Sequence, residues 1–452
     1  MPVTSQHQST HKHLRLLSDS LDSGALSLVK EQVNSLHPAE IANLLESLPL
    51  SNRRVVWKLI HADLTGDILV EVNDEVRSGL IEETKEQDLV TAVGSLEADD
   101  LADIFDDLPD VVLHEVVRSM SNQDRRRLQS VMSYDENSAG GLMNPDMVSI
   151  RSNVTLDVVL RYLRQRAELP DNTDKLFVVD RYDNYLGVLS VSDLLTHDSK
   201  KSVSEIMSSD VKTISPELPD KEVAMLFENH DLVSAPVVDS HNHLIGRITI
   251  DDVVDVIRDE AERSMLNMAG LDEDDDMFSP VFRSTKRRAV WLGINLVTAL
   301  LASSVIGLFT VTIEKIVALA VLMPIVASMG GIAGSQTLML VIRGLALNQL
   351  GASNTRWLLL KELAVGTLNG LLWAAVIALI AGLWFKSTLL GLVIAAALII
   401  NLVFAALAGA TIPLSLKRLG IDPAIAGGVI LTTVTDVIGF LSFLGLASIF
   451  LT

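Results

Sequence analysis

Ala424-Ile-Ala-Gly-Gly-Val-Ile-Leu-Thr-Thr-Val-Thr-Asp436 opens a stretch that stays apolar from Val437 through Leu451 and carries one acid near its middle. About 20 consecutive apolar residues cross a bilayer, and this segment exceeds that length. A carboxylate at such depth costs roughly 2.5–3.5 kcal/mol on insertion scales, so Asp436 must face protein, water or a cation. The plainer reading is an Asp that hydrogen-bonds a neighbouring helix. Thr432, Thr433 and Thr435 supply hydroxyl oxygens beside it, and that combination favours a cation path.

Working outward, four more spans precede this one, at about 289–312, 316–343, 358–382 and 388–412, with the last at 424–451. Basic residues cluster before the first span (Arg283, Lys286, Arg287, Arg288), between the second and third (Arg343, Arg356, Lys361) and after the fourth (Lys417, Arg418). All three places fall on one side, which predicts a cytoplasmic soluble half and a C-terminus outside. Gly330, Gly331, Gly334 and Ser335 suit close helix contact, and Pro324 is expected to bend its span. Asn295, Asn369 and Asn401 punctuate the other spans.

The 452-residue chain has a net charge of −21, unevenly spread. From Arg283 onward there are 11 Lys and Arg against 4 Asp and Glu; the preceding residues hold 25 against 53. An acidic half without a basic patch argues against nucleic acid as a partner. Its carboxylates suit divalent cations, although part of the charge needs no explanation beyond solvation. Without cysteine, disulfides and thiolate metal sites are excluded. No apolar signal-peptide core is expected at the N-terminus, where His7, His11 and His13 lie in a polar start. No nucleophile–base constellation points to an enzyme.

Residues from about 14 to 135 have helical periodicity. Leu36-His-Pro-Ala-Glu-Ile-Ala-Asn-Leu-Leu-Glu-Ser-Leu-Pro49 recurs sixty residues later as Leu96-Glu-Ala-Asp-Asp-Leu-Ala-Asp-Ile-Phe-Asp-Asp-Leu-Pro109, suggesting a superhelical array. The second copy sets Asp99, Asp103 and Asp107 four residues apart, so like charges meet on one face. Each such pair costs about 0.2–0.5 kcal/mol unless a cation neutralises it. A solvated face is the alternative.

From Met143 to Ile257 short apolar runs alternate with helices, twice. Leu176-Phe-Val-Val-Asp180 and Leu186-Gly-Val-Leu-Ser190 have counterparts in Ala235-Pro-Val-Val-Asp239 and Ile245-Gly-Arg-Ile-Thr249. Both copies keep Gly-x-x-(Ser/Thr)-x-x-Asp, as Gly187, Ser190, Asp193 and Gly246, Thr249, Asp252. The pair resembles tandem CBS domains, which implies a regulatory role and an adenine nucleotide such as ATP held by Ser190, Asp193, Thr249 and Asp252. The same residues also serve as helix caps. A helix then runs on with Asp251, Asp255 and Asp259 at steps of four, followed by the acidic run Asp272-Glu-Asp-Asp-Asp276. Oxygen-only ligands on two elements suit hydrated Mg²⁺, whose loss would let the acidic lobes repel.

The whole order of parts resembles the MgtE family of magnesium channels. The most specific stretches are Met323-Pro-Ile-Val-Ala-Ser-Met-Gly-Gly-Ile-Ala-Gly-Ser-Gln336, Arg343-Gly-Leu-Ala346 and Pro413-Leu-Ser-Leu-Lys-Arg-Leu-Gly-Ile-Asp-Pro-Ala424. The expected architecture is multidomain. An acidic α-helical superhelical N-domain (1–135) precedes an α/β tandem CBS pair (136–257, divided into 136–200 and 201–257). A connecting plug helix (258–285) leads to an all-α membrane domain (286–452) with five transmembrane helices. The resemblance implies a homodimeric, Mg²⁺-gated channel for magnesium uptake across the bacterial inner membrane, in contact with lipid. By position it implies Mg²⁺ ligands at Asp99, Asp103, Asp231, Asp252, Asp255 and Glu260, with Asp436 in the pore beside Gly428, Thr432 and Thr435.

Several positions depart from the family pattern. Ile332 replaces an Asn common in members, Gly428 stands in a usual Asn–Pro region, and Thr432 replaces a small apolar residue. Pro219 and Lys221 occupy a usually acidic cluster, which implies a sensor with fewer ions or weaker binding. The alternative reading is a secondary transporter, proton-coupled or specific for a transition metal such as Co²⁺ or Mn²⁺, with Asp436 as carrier.

Overall fold

In the computed structural model, residues 25–166, 169–170, 172–271, 276–347, 349–351 and 353–452 are described. His7, His11, His13 and residues 272–275 of the acidic run lie outside them. The chain divides into two compact units, one running to Glu262 and including the segment ending at Pro280, the other comprising the residues from Arg263 to 273 and Val281–Thr452.

The first unit begins with α1 (Leu26–Val33), followed by helix pairs. These are α2 (Pro38–Glu46) with α3 (Leu50–Trp57), α4 (Thr65–Glu71) with α5 (Asp74–Glu83), α6 (Glu86–Val93) with α7 (Ala98–Asp103), and α8 (Asp110–Ser119) with α9 (Asn122–Val131). First helices stack on first helices (α2 on α4, α4 on α6, α6 on α8), while α1 meets α3, α3 meets α5 and α7 meets α9. The N-caps of the second helices, Pro49, Asn73, Glu97 and Ser121, recur every 24 residues.

A buried polar device repeats at the same period. Arg53 Nε donates to the Leu45 carbonyl (2.8 Å), Arg77 Nε to Leu69 (2.8 Å) and Arg125 Nε to Val117 (3.2 Å). Each ties a second helix to the end of its first. In the third pair, Leu101 replaces the arginine.

The superhelical array is therefore present, but its unit is a 24-residue helix pair, not the sixty-residue recurrence. That recurrence matches α2, a first helix, to α7, a second helix. Both carry apolar residues at i, i+3, i+4 and i+7, a spacing any amphipathic helix offers, although the second set runs past the end of α7 into a 3-10 turn at Phe105–Asp107. Ile41, Leu44, Leu45 and Leu48 are buried, as are Leu101, Ile104 and Leu108.

The α/β part follows in the same unit. Strands β1 (Ser149–Arg151), β2 (Lys175–Val179) and β3 (Tyr185–Ser190) form one sheet, with β1 parallel to β2 and β3 antiparallel. Helices α10 (Leu156–Gln165), α11 (Val191–Thr196), α12 (Val203–Ile206) and α13 (Asp220–His230) flank the strands in sequence. In the second copy β4 (Ser234–Val238) and β5 (Leu244–Thr249) pair antiparallel, and a parallel bridge from Ile214 to Val237 takes the place of β1.

β5 runs directly into α14 (Ile250–Ala269), and Gly270 ends that helix in the left-handed region at φ +71°. A Cβ there would overlap the Trp291 indole, so only glycine fits both the backbone and the contact. The next helix starts at Val281. Residues 258–285 are thus not one helix: α14 starts earlier and breaks at Gly270.

In the second unit five helices are long and apolar enough to cross a membrane, among the described residues. They are α15 (Val281–Gly307), α17 (Ala318–Ala346), α18 (Thr355–Trp384), α19 (Thr388–Arg418) and α20 (Pro423–Phe450), with short α16 (Thr310–Lys315) after the first. The first begins eight residues before the expected span, because Arg283–Arg288 continue the helix without a breaker. It ends at Gly307, not 312. Pro324 and Pro413 sit inside helices. α19 is the most enclosed, packed by α17, α18 and α20.

Candidate functional site

The first concentration of chemistry lies where the third helix pair meets the start of α14. Asp99 falls on the buried side of α7, 9% exposed, and its Oδ1 has no hydrogen-bond partner. Burial, then Asp100, Asp252 and Glu97, pushes its pKa up to about 8. Asp252 is raised to about 7 by burial and then Asp251, against the hydrogen bond from Thr249 Oγ1 at 3.1 Å. Asp100 rises to about 6 through burial and Glu97. Asp103, whose side chain stays exposed, is raised to about 7 by partial desolvation among its neighbours, then by Asp100 and Glu136, opposed by Arg77.

Asp255 is raised by desolvation, while Arg258 at 3.2 Å lowers it; Glu71 on α4 is raised by burial and then by Asp255. The two elements thus confront each other with carboxylates of depressed acidity. Asn144 Nδ2 donates to Glu97 Oε2 at the edge of this region.

Not all expected ligands converge. Asp231 is an exposed C-cap of α13 in the left-handed region at φ +50°, and Glu260 is paired with Lys221 at 2.5 Å. Among the described residues no group of three or more His, Asp or Glu side chains is arranged to hold a metal ion. Asp100 and Glu71 are participants that sequence reasoning missed; the 24-residue repeat, which sets α4 beside α6 and α7, is the signal that would have found Glu71.

The (Ser/Thr)-x-x-Asp turns are occupied with themselves. Ser190 Oγ accepts from Asp193 N (3.0 Å) and donates to Asp193 Oδ2 (2.6 Å), capping α11. At the start of α14 the bonds differ: Asp252 Oδ2 accepts from Thr249 Oγ1 (3.1 Å) and from Thr249 N (3.4 Å). The Ser190 bond is the helix cap expected as the plainer role.

The second concentration is a cavity of about 630 Å³ in the membrane unit. Ala327, Ser328, Gly331, Ile332, Ser335, Gln336 and Met339 of α17 line it, with Thr432 and Asp436 of α20. Thr435 does not take part: it is fully buried, donating to the Thr432 carbonyl at 3.0 Å. Three residues on from Thr432, it turns to the packed side of α20. Gly428 is exposed one turn before Thr432, outside the cavity lining. The glycines of α17 divide by face. Gly330 packs on Asn401 and Gly334 on Leu431, whereas Gly331 faces the cavity with Ser335 and Gln336.

Family comparison bears on both regions. Residues 323–446 match a model described as a divalent cation transporter, 36–137 match the MgtE intracellular N domain, and 139–200 and 203–259 each match a CBS domain. The magnesium transporter MgtE of Thermus thermophilus is 31% identical, covering 96% of this chain and 98% of the relative. The chain belongs to the MgtE family. The Bacillus subtilis magnesium transporter MgtE is 28% identical over 95% of this chain and 96% of its own. A solved structure described as the cytosolic domain of the Mg²⁺ channel MgtE in complex with ATP covers 53% of this chain at 30% identity, with a TM-score of 0.48. Membership in MgtE makes the chain a membrane transporter of the magnesium class, with an N-domain and a CBS pair preceding its helices.

Proposed function

We propose that this chain is a Mg²⁺-selective channel that cytoplasmic Mg²⁺ closes. The observation that carries the reading is Asp436. Among the described residues it is the one carboxylate lining a mostly apolar cavity, whose other polar side chains are Ser328, Ser335, Gln336 and Thr432. Such a surface holds a hydrated cation through its water shell without stripping it, and a weak outer-sphere hold lets the ion leave again. A closed twofold dimer, the commonest oligomer, would bring two such acids to one axis. The basic clusters favour a cytoplasmic first unit and a C-terminus outside.

Closure follows from the acidic face. Asp99 and Asp252 fit a hydrated divalent ion: one buried oxygen lacks a donor, and both carboxylates are held above their usual pKa by burial first and by neighbouring acids second. A divalent cation would replace repulsion by attraction, biasing the two elements together; its loss would release them. Asp103 and Asp255 would contribute at the margins, and ATP at Ser190, Asp193, Thr249 and Asp252 would require the cap bonds to open.

The test is divalent flux into proteoliposomes at fixed voltage and pH, comparing Mg²⁺, Ca²⁺, Co²⁺ and Mn²⁺. The expected result is Mg²⁺ entry without a proton requirement, abolished by Asp436→Ala. Normal flux in that variant, or strict proton coupling in the wild type, would sink the channel reading.

A further inference from the structure

Two buried polar side chains in the membrane unit have no part in the cavity, yet both grip the helix that lines it. Asn401 of α19 is fully buried and donates from Nδ2 to the Val326 carbonyl of α17 at 2.8 Å. Glu362 of α18 is 4% exposed, and its Oε2 accepts from Thr337 Oγ1 of α17 at 3.0 Å. Lys361 Nζ meets the other oxygen at 2.9 Å.

Val326 and Thr337 are eleven residues apart, about three helical turns, so both grips fall on one stripe of α17. Gly330, Gly334 and Val341 complete that buried stripe. Ser335 and Gln336 lie on the other side of the helix, facing the cavity.

Apolar and small residues suffice to pack helices in lipid, and their contacts tolerate rotation. Hydrogen bonds are directional, and ionisable groups inside membrane helices are rare and tend to be functional. The seat of Asn401 is also built from both pore helices. A Cβ at Gly330 of α17 would overlap its amide, and one at Gly439 of α20 would stand 2.8 Å from Nδ2. Gly439 follows Asp436 by less than one turn. The same amide therefore sets how closely α17 and α20 approach.

We propose that Asn401 and Glu362 are positioning residues for the cation path. They hold the rotation of α17 and its distance from α20, so that Gln336, Ser335 and Asp436 face one cavity. This rests on the cavity being the cation path.

The experiment measures flux through the full-length protein in proteoliposomes, reading half-saturating Mg²⁺, maximal flux and the Mg²⁺/Mn²⁺ ratio, with melting temperature in parallel. Asn401→Leu and Glu362→Leu are expected to raise half-saturating Mg²⁺ about tenfold (~1.4 kcal/mol) and to lower the ratio. Glu362→Gln, which keeps an acceptor for Thr337, should stay within about twofold of wild type on the same free-energy scale. If the Leu variants do not fold, Thr337→Val against Thr337→Ser asks the same question, with Ser expected to rescue. Lowered melting with unchanged half-saturation and ratio would overturn the proposal, as would Glu362→Gln behaving like Glu362→Leu. Asp436→Ala is run alongside: its retaining flux defeats the channel reading itself, whereas its loss with normal Leu variants defeats only the positioning role.

Discussion

Asp99 on α7 carries a buried, unpartnered Oδ1, and Asp252, at the corner where β5 becomes α14, adds its negative charge to it. The two residues are far apart in sequence and belong to different folds within one unit. Their opposition makes the unit sensitive to whatever neutralises it.

Proton release is one consequence. At pH 7 Asp99, with a pKa of about 8, is mostly protonated, and Asp103 and Asp252, near 7, are partly so. Mg²⁺ binds the deprotonated forms, so binding should release on the order of one proton per chain. Calorimetric titration in buffers of different ionisation enthalpy measures this. A buffer-independent heat at pH 7 would remove these carboxylates from the binding site.

The sign of the pH dependence also follows. A carboxylate whose folded pKa is raised binds more protons folded than unfolded, so stability falls as pH rises from about 4 through about 8. Metal-free protein should therefore melt higher at pH 6 than at pH 8.5, and saturating Mg²⁺ should flatten the difference. Melting that rises with pH in the absence of Mg²⁺ would contradict it.

Asp99→Asn keeps the shape and removes the charge. At pH 8.5 without divalent ions it should raise the melting temperature by about 2–4 °C, the equivalent of ~1 kcal/mol in a unit of this size. With Asp103→Ala added, inhibition of flux by high Mg²⁺ should weaken. Unchanged inhibition would take both residues out of the sensor.

Thr432 and Thr435 have parted roles. Thr432→Val removes a cavity hydroxyl and should change the ratio of Mg²⁺ to Mn²⁺ flux severalfold. Thr435→Val removes only a bond to its own helix, costing about 1 kcal/mol, and should leave the ratio unchanged. The reverse pattern would mean that α20 presents its other face to the ion.

The arginine ladder can be tested by stability. Arg53 is 4% exposed, bonds the Leu45 carbonyl and pairs with Asp276 at 2.9 Å. Arg53→Met leaves that carboxylate buried without its cationic partner, keeping the bond from Phe278 N (3.0 Å), at a cost of about 3–5 kcal/mol. Arg125→Met, which breaks only the carbonyl bonds, should cost about 1–1.5 kcal/mol. Equal losses measured by denaturant unfolding would dismiss the distinction.

Much of the architecture was legible because it rests on local signals. Hydrophobic length marks five spans, the paired Gly-x-x-(Ser/Thr)-x-x-Asp turns mark two α/β copies, and helical periodicity marks the N-terminal array. The 24-residue period is hidden for a local reason too. Leu101 interrupts the series Arg53, Arg77, Arg125, and without that series one amphipathic helix looks much like another.

What the order of residues determines by itself is therefore which segments are helices, strands and spans, and that Asp436 lies inside one. Those follow from periodicity, length and the cost of a charge in hydrocarbon. Only the tertiary structure decides which side chains share a space. It buries Thr435 and turns Thr432 to the cavity, opposes Asp99 to Asp252, and leaves Asp231 and Glu260 elsewhere. The reason is geometric: a residue's face is settled by the helices packed against it, and α17 and α20 are oriented by partners, such as Asn401, that lie many residues away.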